Sequence, residues 1–280
     1  MAKAFQIPAW RKRQIAAKFR RKGRVINKTV SAMEAVMKKA VAGVIDHYLA
    51  TGHYAKPTLA GMFAVTDDFY REVAINGFDS ARDEKEEAKG KKRLAKRKSN
   101  KLEFLENVFR DKREWPRAMK RSKKLTERLR DQYLEKLGKR FEEILPALKA
   151  GEITPEDAKS HMMKAWKASK SRVETIFRTE TTNYFGKAQV SFFESDPEII
   201  GFLFDSVYDT SRTEICKSRH GLVYRPGTAL LTKNIPACHF NCRSHLIALA
   251  NTPHNRKLLE DPDRDPAKRK VVPLPPGWRK

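Results

Sequence analysis

The stretch Asp205–Leu249, DSVYDTSRTEICKSRHGLVYRPGTALLTKNIPACHFNCRSHLIAL, decides how this chain is read. It holds all three cysteines, Cys216, Cys238 and Cys242, and three of the seven histidines, His220, His239 and His245. Thiols confined to one short region of a 280-residue chain, with no apolar signal core at the N-terminus, point to free or metal-bound cysteines rather than a disulfide framework. Cys216 and His220 are four apart, as are Cys238 and Cys242; His239 and Cys242, three apart, offer a second pairing. Two such knuckles facing each other across a loop would suit the tetrahedral, sulfur- and nitrogen-rich preference of zinc. Gly221 and Pro236 supply turns at the two ends. The expected cofactor is therefore a structural Zn2+, with Cys216, His220, Cys238, His239 and Cys242 as candidate ligands. The plain alternative is a set of small buried thiols in a reduced protein.

Outward from this stretch, the chain is basic. Its 59 Lys and Arg against 34 Asp and Glu leave a net charge of +25. So large an excess costs the compact state through self-repulsion and points to a polyanionic partner, nucleic acid first. Residues 1–28 hold ten basic residues and no acid, and read as an arm whose Arg11, Lys12, Arg13, Arg20, Arg21 and Lys22 face an anion while Phe5, Ile7 and Trp10 anchor it. A second run, Lys89–Lys101, contains Lys91, Lys92, Arg93, Lys96, Arg97 and Lys98 and no acid; it reads as an exposed helix, linker or phosphate-contacting patch. No apolar run approaches ~18 residues, so no integral membrane role is expected.

Between the basic runs the pattern is helical. Val30, Met33, Met37, Val41, Val44 and Tyr48 recur at spacings of three and four. A second helix from Thr58 carries Leu59, Met62, Phe63, Phe69, Tyr70, Val73 and Ile75, antiparallel to the first. Helical spacing resumes at Leu102, Leu105, Val108 and Phe109, Trp115-Pro116 interrupts it, and a long helix follows with Leu125, Leu129, Tyr133, Leu137, Phe141, Ile144 and Leu148 on one face. Gly151 terminates it. Thr154, Pro155, Glu156 and Asp157 form a helix start, with a break and a further helix expected after Ser169 or Ser171. Beyond Pro197 the texture turns to short strands at 199–207, 222–224 and 245–249, and then to a proline-rich tail read as extended, on another subunit. The expected fold class is α+β, mostly α: an elongated basic helical N-terminal half followed by a small helix-plus-short-strand C-terminal module, zinc-stapled. The expected divisions are an arm at 1–28, a helical basic domain at 29–150, a C-terminal module at 151–250 and a tail at 251–280.

Two enzymatic readings compete. Asp205, Asp209, Glu214, His220 and His239 are the groups a metal-dependent nuclease would draw on, although their spacing matches no nuclease motif. A cysteine hydrolase on Cys216 or Cys242 is weaker, because nothing marks either thiol as activated.

The motifs Arg178-Thr-Glu-Thr-Thr-Asn183, Asp209-x-Ser-Arg212-Thr-x-x-Cys216 with Gly221 following, and Pro236 then His239-x-Asn-Cys242-Arg243-Ser244 resemble the phage Mu F-like minor head protein family, over roughly residues 155–250. The resemblance implies a non-enzymatic virion structural protein of head morphogenesis, assembled in the host cytoplasm and lodged in the capsid interior near the portal. It implies portal or major capsid protein and packaged double-stranded DNA as partners. It carries over Cys216, His239 and Cys242 as a metal or core triad, and Arg178, Glu180, Asp209, Arg212, Gly221 and Arg243 as structural motif residues. Family members commonly have a cysteine where this chain has Ser244, which leaves Cys238, His220 and Asp209 as candidates for the fourth ligand. A toxin-like effector delivered with the genome and a cellular nucleic-acid-binding zinc protein are the rival classes.

Overall fold

The computed structural model describes residues 9–59, 61–88, 114–194, 196–207, 210, 212–276 and 278. Four long helices, α1 (Ala9–Thr51), α2 (Gly61–Ala88), α3 (Glu114–Lys149) and α4 (Pro155–Glu194), precede a small module. The module comprises β1 (Ile199–Asp205), α5 (Glu214–Lys217), β2 (Val223–Tyr224), α6 (Ala229–Asn234), β3 (His245–Ala250) and α7 (Pro253–Glu260). The chain is thus mostly helical with one small antiparallel sheet, the expected class.

The helices form for the reasons their sequences supply. Val30, Met33, Met37, Val41 and Val44 are all buried on one face of α1, and Leu129, Tyr133, Leu137, Phe141, Ile144 and Leu148 on one face of α3. Pro116 sits in the first turn of α3, where its missing N–H is not needed, and the Leu102–Phe109 stretch expected before it lies outside the described residues. Gly151 ends the following turn with φ +71°. At the start of α4 the Thr154 hydroxyl accepts from Asp157 N (3.1 Å) and the Asp157 carboxylate accepts from Thr154 N (3.1 Å), a reciprocal cap. The expected break near Ser169 does not occur: α4 runs unbroken to Glu194, with Ser169 buried and receiving a hydrogen bond from Lys136 Nζ at 2.7 Å. A serine that finds a tertiary partner need not turn back on its own backbone. The second helix begins at Gly61, not Thr58.

The described residues divide into two compact units, neither a continuous stretch. One takes Val25–Glu72 and Asp111–Thr175; the other takes Met1–Arg24, Val73–Arg110 and Ile176–Lys280. In the first, Lys28 pairs with Glu72 and Val36 lies over Gly61, so α1 and α2 run antiparallel as expected; Thr66 and Thr126 hydroxyls meet at 2.6 Å, and Tyr133 packs on Trp166. In the second, Lys18 and Arg21 of α1 pair with Glu84 and Asp83 of α2.

The sheet belongs to the second unit, in the order β2-β1-β3. β1 pairs Phe202 with Tyr224 on one side and with Ala248 on the other. Alternation along the strands gives it two apolar faces. Phe202, Phe204, Tyr224, Leu246 and Ala248 join Cys216, Cys238 and Cys242 in one core, while Leu203, Val223, Ile247 and Leu249 pack with Leu258 of α7. The segment after Ala250 is not an extended arm. It forms α7, and Val271, Leu274 and Trp278 then pack against the cysteine-bearing core of their own module. Apolar side chains at those positions bury more surface there than they would in solvent.

Candidate metal centre

α4 is the floor on which the centre is built. Two threonines on one of its faces, three residues apart, seize the turn opposite. Thr179 Oγ1 accepts from Asn241 N at 3.0 Å, and Thr182 Oγ1 donates to the Cys242 carbonyl at 2.9 Å. Gly186, one turn on, lets the segment before the turn approach: a Cβ there would lie 2.9 Å from Ile235 Cγ2 and 3.2 Å from the Pro236 carbonyl oxygen. Asn241 completes the turn at φ +57°, a conformation asparagine tolerates better than most residues. On the other side, α5 presents Cys216 from a helix start capped by Thr213.

These elements bring Cys216, His239 and Cys242 together, with their ligand atoms all within 4.8 Å of one another. Cys216 Sγ lies 3.7 Å from Cys242 Sγ and 3.1 Å from His239 Nε2. His239 Nδ1 donates to the Phe240 carbonyl at 2.6 Å, which fixes the tautomer and leaves Nε2 with its lone pair toward the sulfurs. Two thiolates each about 2.3 Å from a tetrahedral zinc stand about 3.8 Å apart. The observed sulfur separation therefore suits a metal without rearrangement, and the group is one that can hold a metal ion.

The electrostatics point the same way. The hydrogen bond from the Cys216 thiol, opposed by burial and assisted by His239, holds Cys242 well below the ordinary thiol range. That same bond, together with burial, pushes the Cys216 thiol up. Burial opposes a charge on His239, but the Cys242 thiolate outweighs it and the imidazole is raised. One sulfur is thus biased toward the thiolate, and the proton on the other is what a metal would displace.

The other expected site residues lie elsewhere. Cys238 is fully buried and contributes no ligand atom to the group; its backbone N–H supports Cys242. His220 accepts from Ser206 N at 3.2 Å and stands 3.4 Å from the Asp205 carboxylate, whose other oxygen lies 3.1 Å from His245. It is committed to that cluster. Neither residue is the fourth partner. Ser244, buried beside the group, pulls the Cys216 thiol down against the larger upward pulls. It occupies the sequence position where the family resemblance places a further cysteine, and that departure was the signal for it. Asp209 lies outside the described residues. Arg212 reaches Ser206 Oγ at 3.4 Å, and Gly221, at φ +81°, receives Arg264 on its carbonyl. Glu180 is buried within α4, Arg178 is exposed and Arg243 is half-buried.

The anion-contacting arm is corrected in part. Lys22 is buried, its ammonium 4.9 Å from the Phe185 ring centroid. Burial lowers it to about 8, against the opposing pull of the Cys242 charge. It serves the interior of its unit, and Arg21 is taken up by Asp83. Arg20 is exposed. The side chains of Arg11, Lys12 and Arg13, and all of Phe5, Ile7, Lys91, Lys92, Arg93, Lys96, Arg97, Lys98 and Leu102–Phe109, lie outside what the structure describes.

Residues 120–247 match the family described as Phage Mu protein F like protein. The match begins in α3, earlier than the motifs alone indicate, and ends in β3, spanning the whole Cys216–Cys242 group. No curated protein and no solved structure matches the chain.

Proposed function

From the match of residues 120–247 to the phage Mu protein F-like family, we propose that this chain is a phage head morphogenesis protein. In this reading it is a minor structural component of the virion, seated in the capsid interior at the portal. Its partners are portal or major capsid protein, and its excess of +25 meets packaged double-stranded DNA without reading sequence. It is not an enzyme. The observation that carries the reading is the coincidence of the family match with a compact, helix-mounted Cys216–His239–Cys242 centre. The donors there are sulfur and imidazole, with no carboxylate from the described residues among them. That set suits a structural ion: zinc held by Cys216, Cys242 and His239 Nε2 would tie α5 to the 239–242 turn and supply folding energy.

Among the described residues, the carboxylates a nuclease would need do not converge on this centre. Asp205 is engaged with His220 and His245, and Glu214 pairs with Lys217 on the surface. The test is co-expression of the full chain with its portal protein. Copurification that survives raised salt and nuclease digestion supports the reading. Metal-dependent plasmid cleavage that His239→Ala abolishes would replace it with the nuclease.

A further inference from the structure

We propose that the first half of α3 is a phosphate-backbone contact site, in which Lys120, Lys124 and Arg128, with Lys123 beside them, receive duplex DNA. The inference rests on the head-protein reading only for the choice of DNA as the polyanion.

Residues four apart on a helix lie nearly in line, so Lys120, Lys124 and Arg128 form a row about 12 Å long. All three are exposed, as is Lys123. The opposite face of the same turns is buried through Ser122, Thr126, Leu129 and Tyr133. The row therefore points away from the interior of its own unit.

What separates these cations from the middle of α3 is that they are unspent and clustered. None of the four takes part in an ion pair or hydrogen bond among the described residues. Further along, Lys136 donates to Ser169, Lys139 pairs with Glu135 and Arg140 with Glu143, which leaves only Lys149, in the last turn, without a partner among the described residues. The sign of the face changes at Asp131, which takes Arg130. From Lys120 to Arg130 only Glu127 is acidic.

The kind of partner follows from what the row lacks. Among the described residues, the large apolar side chains that are exposed are Leu49, Tyr54, Leu230, Phe240 and Val272, none of them on α3. A protein partner would be held by buried aromatic or aliphatic anchors. A single strand would stack its bases on aromatic rings. A row of bare cations offers neither and suits the phosphates of a duplex, bound through counterion release.

The experiment measures binding of the full-length protein to a labelled mixed-sequence duplex by fluorescence anisotropy across a salt series. The variant K120Q/K123Q/K124Q/R128Q is compared with K39Q/K56Q/K149Q/K167Q, which removes the same charge from exposed positions away from the row. The row variant should lose at least roughly 100-fold in affinity near 0.1 M salt and lower the slope of log K against log salt by about 3 to 4; the control should change less than about threefold. Unfolding midpoints should match wild type in both, since every altered side chain is exposed. Equal losses in the two variants, or none in the row variant, would overturn the site while leaving the head-protein reading intact. Failure of the wild type to bind duplex at all would remove both the site and the DNA contact from that reading. Loss of portal copurification with DNA binding unchanged would assign the row to an acidic protein surface instead.

Discussion

The hydroxyl of Thr182 donates to the carbonyl of Cys242 at 2.9 Å, across 60 residues of sequence, inside a buried interface. It fixes the height of the 239–242 turn above α4, and with it the distance between Cys242 and Cys216. Thr182→Val keeps the shape, removes the donor and leaves a buried carbonyl unpaired. The expected cost is about 1–3 kcal/mol, read from the urea midpoint. An unchanged midpoint would mean that the turn is held without this bond.

Gly186 makes a steric prediction. A methyl group there meets Ile235 and the Pro236 carbonyl from a packed helix. Gly186→Ala should destabilise by about 1–3 kcal/mol through overpacking. Gly23→Ala, where nothing lies within 4 Å of the added carbon, should stabilise α1 by roughly 0.5–1 kcal/mol. Equal effects at the two sites would contradict the close approach.

The metal centre predicts a graded series. Native protein should carry stoichiometric zinc by elemental analysis and lose thermal stability to a strong chelator. Cys242→Ser should abolish retention, because it removes the ready-made thiolate. Ser244→Cys should raise zinc affinity, since Ser244 is buried, lowers the Cys216 thiol and holds the position where the family resemblance places a cysteine, so that a thiol there would give zinc a fourth ligand. Wild type without zinc, unresponsive to added metal, would leave the group a thiol–imidazole core contact.

Acid should weaken the second unit through His220. Burial lowers its folded-state affinity for a proton below that of the unfolded chain, against the pull of Asp205. Above the unfolded value, about 6.5, both states are neutral and the group contributes nothing to the pH dependence. As pH falls through that value the unfolded chain takes the proton first, so stability is lost on acidification. His239 is shifted the opposite way, so the comparison must be made against His220→Gln. The variant should show a shallower loss of urea midpoint between about pH 7 and 5. The same slope in both proteins would exclude His220 as a source.

The apolar stripes of α1 and α3, the cap at Thr154, the three strands and the pairing of Cys216 with His239 and Cys242 were all legible, because each is written as local periodicity, turn chemistry or a cluster of scarce residues. The continuity of α4 was not. Ser169 and Ser171 look like a break until Lys136 is seen to occupy Ser169. Nor was the burial of Lys22, which sits in a basic run and carries the same local signal as the exposed Arg20. Of the centre, spacing left five candidates and the family resemblance singled out Cys216, His239 and Cys242; that His220 and Cys238 stand apart from the group could not be read.

By itself the chain determined what could form: helices where apolar residues recur every three or four positions, strands where β-formers cluster, a thiol–imidazole group where cysteine occurs at all, and a polyanion partner from its charge. Tertiary structure alone decided which distant pieces share a core, which of many lysines are spent inside and which remain outside, and which of the five candidate ligands meet. Those outcomes depend on long-range burial and pairing, and a basic or hydroxyl side chain has no local signature that records whether a partner will meet it.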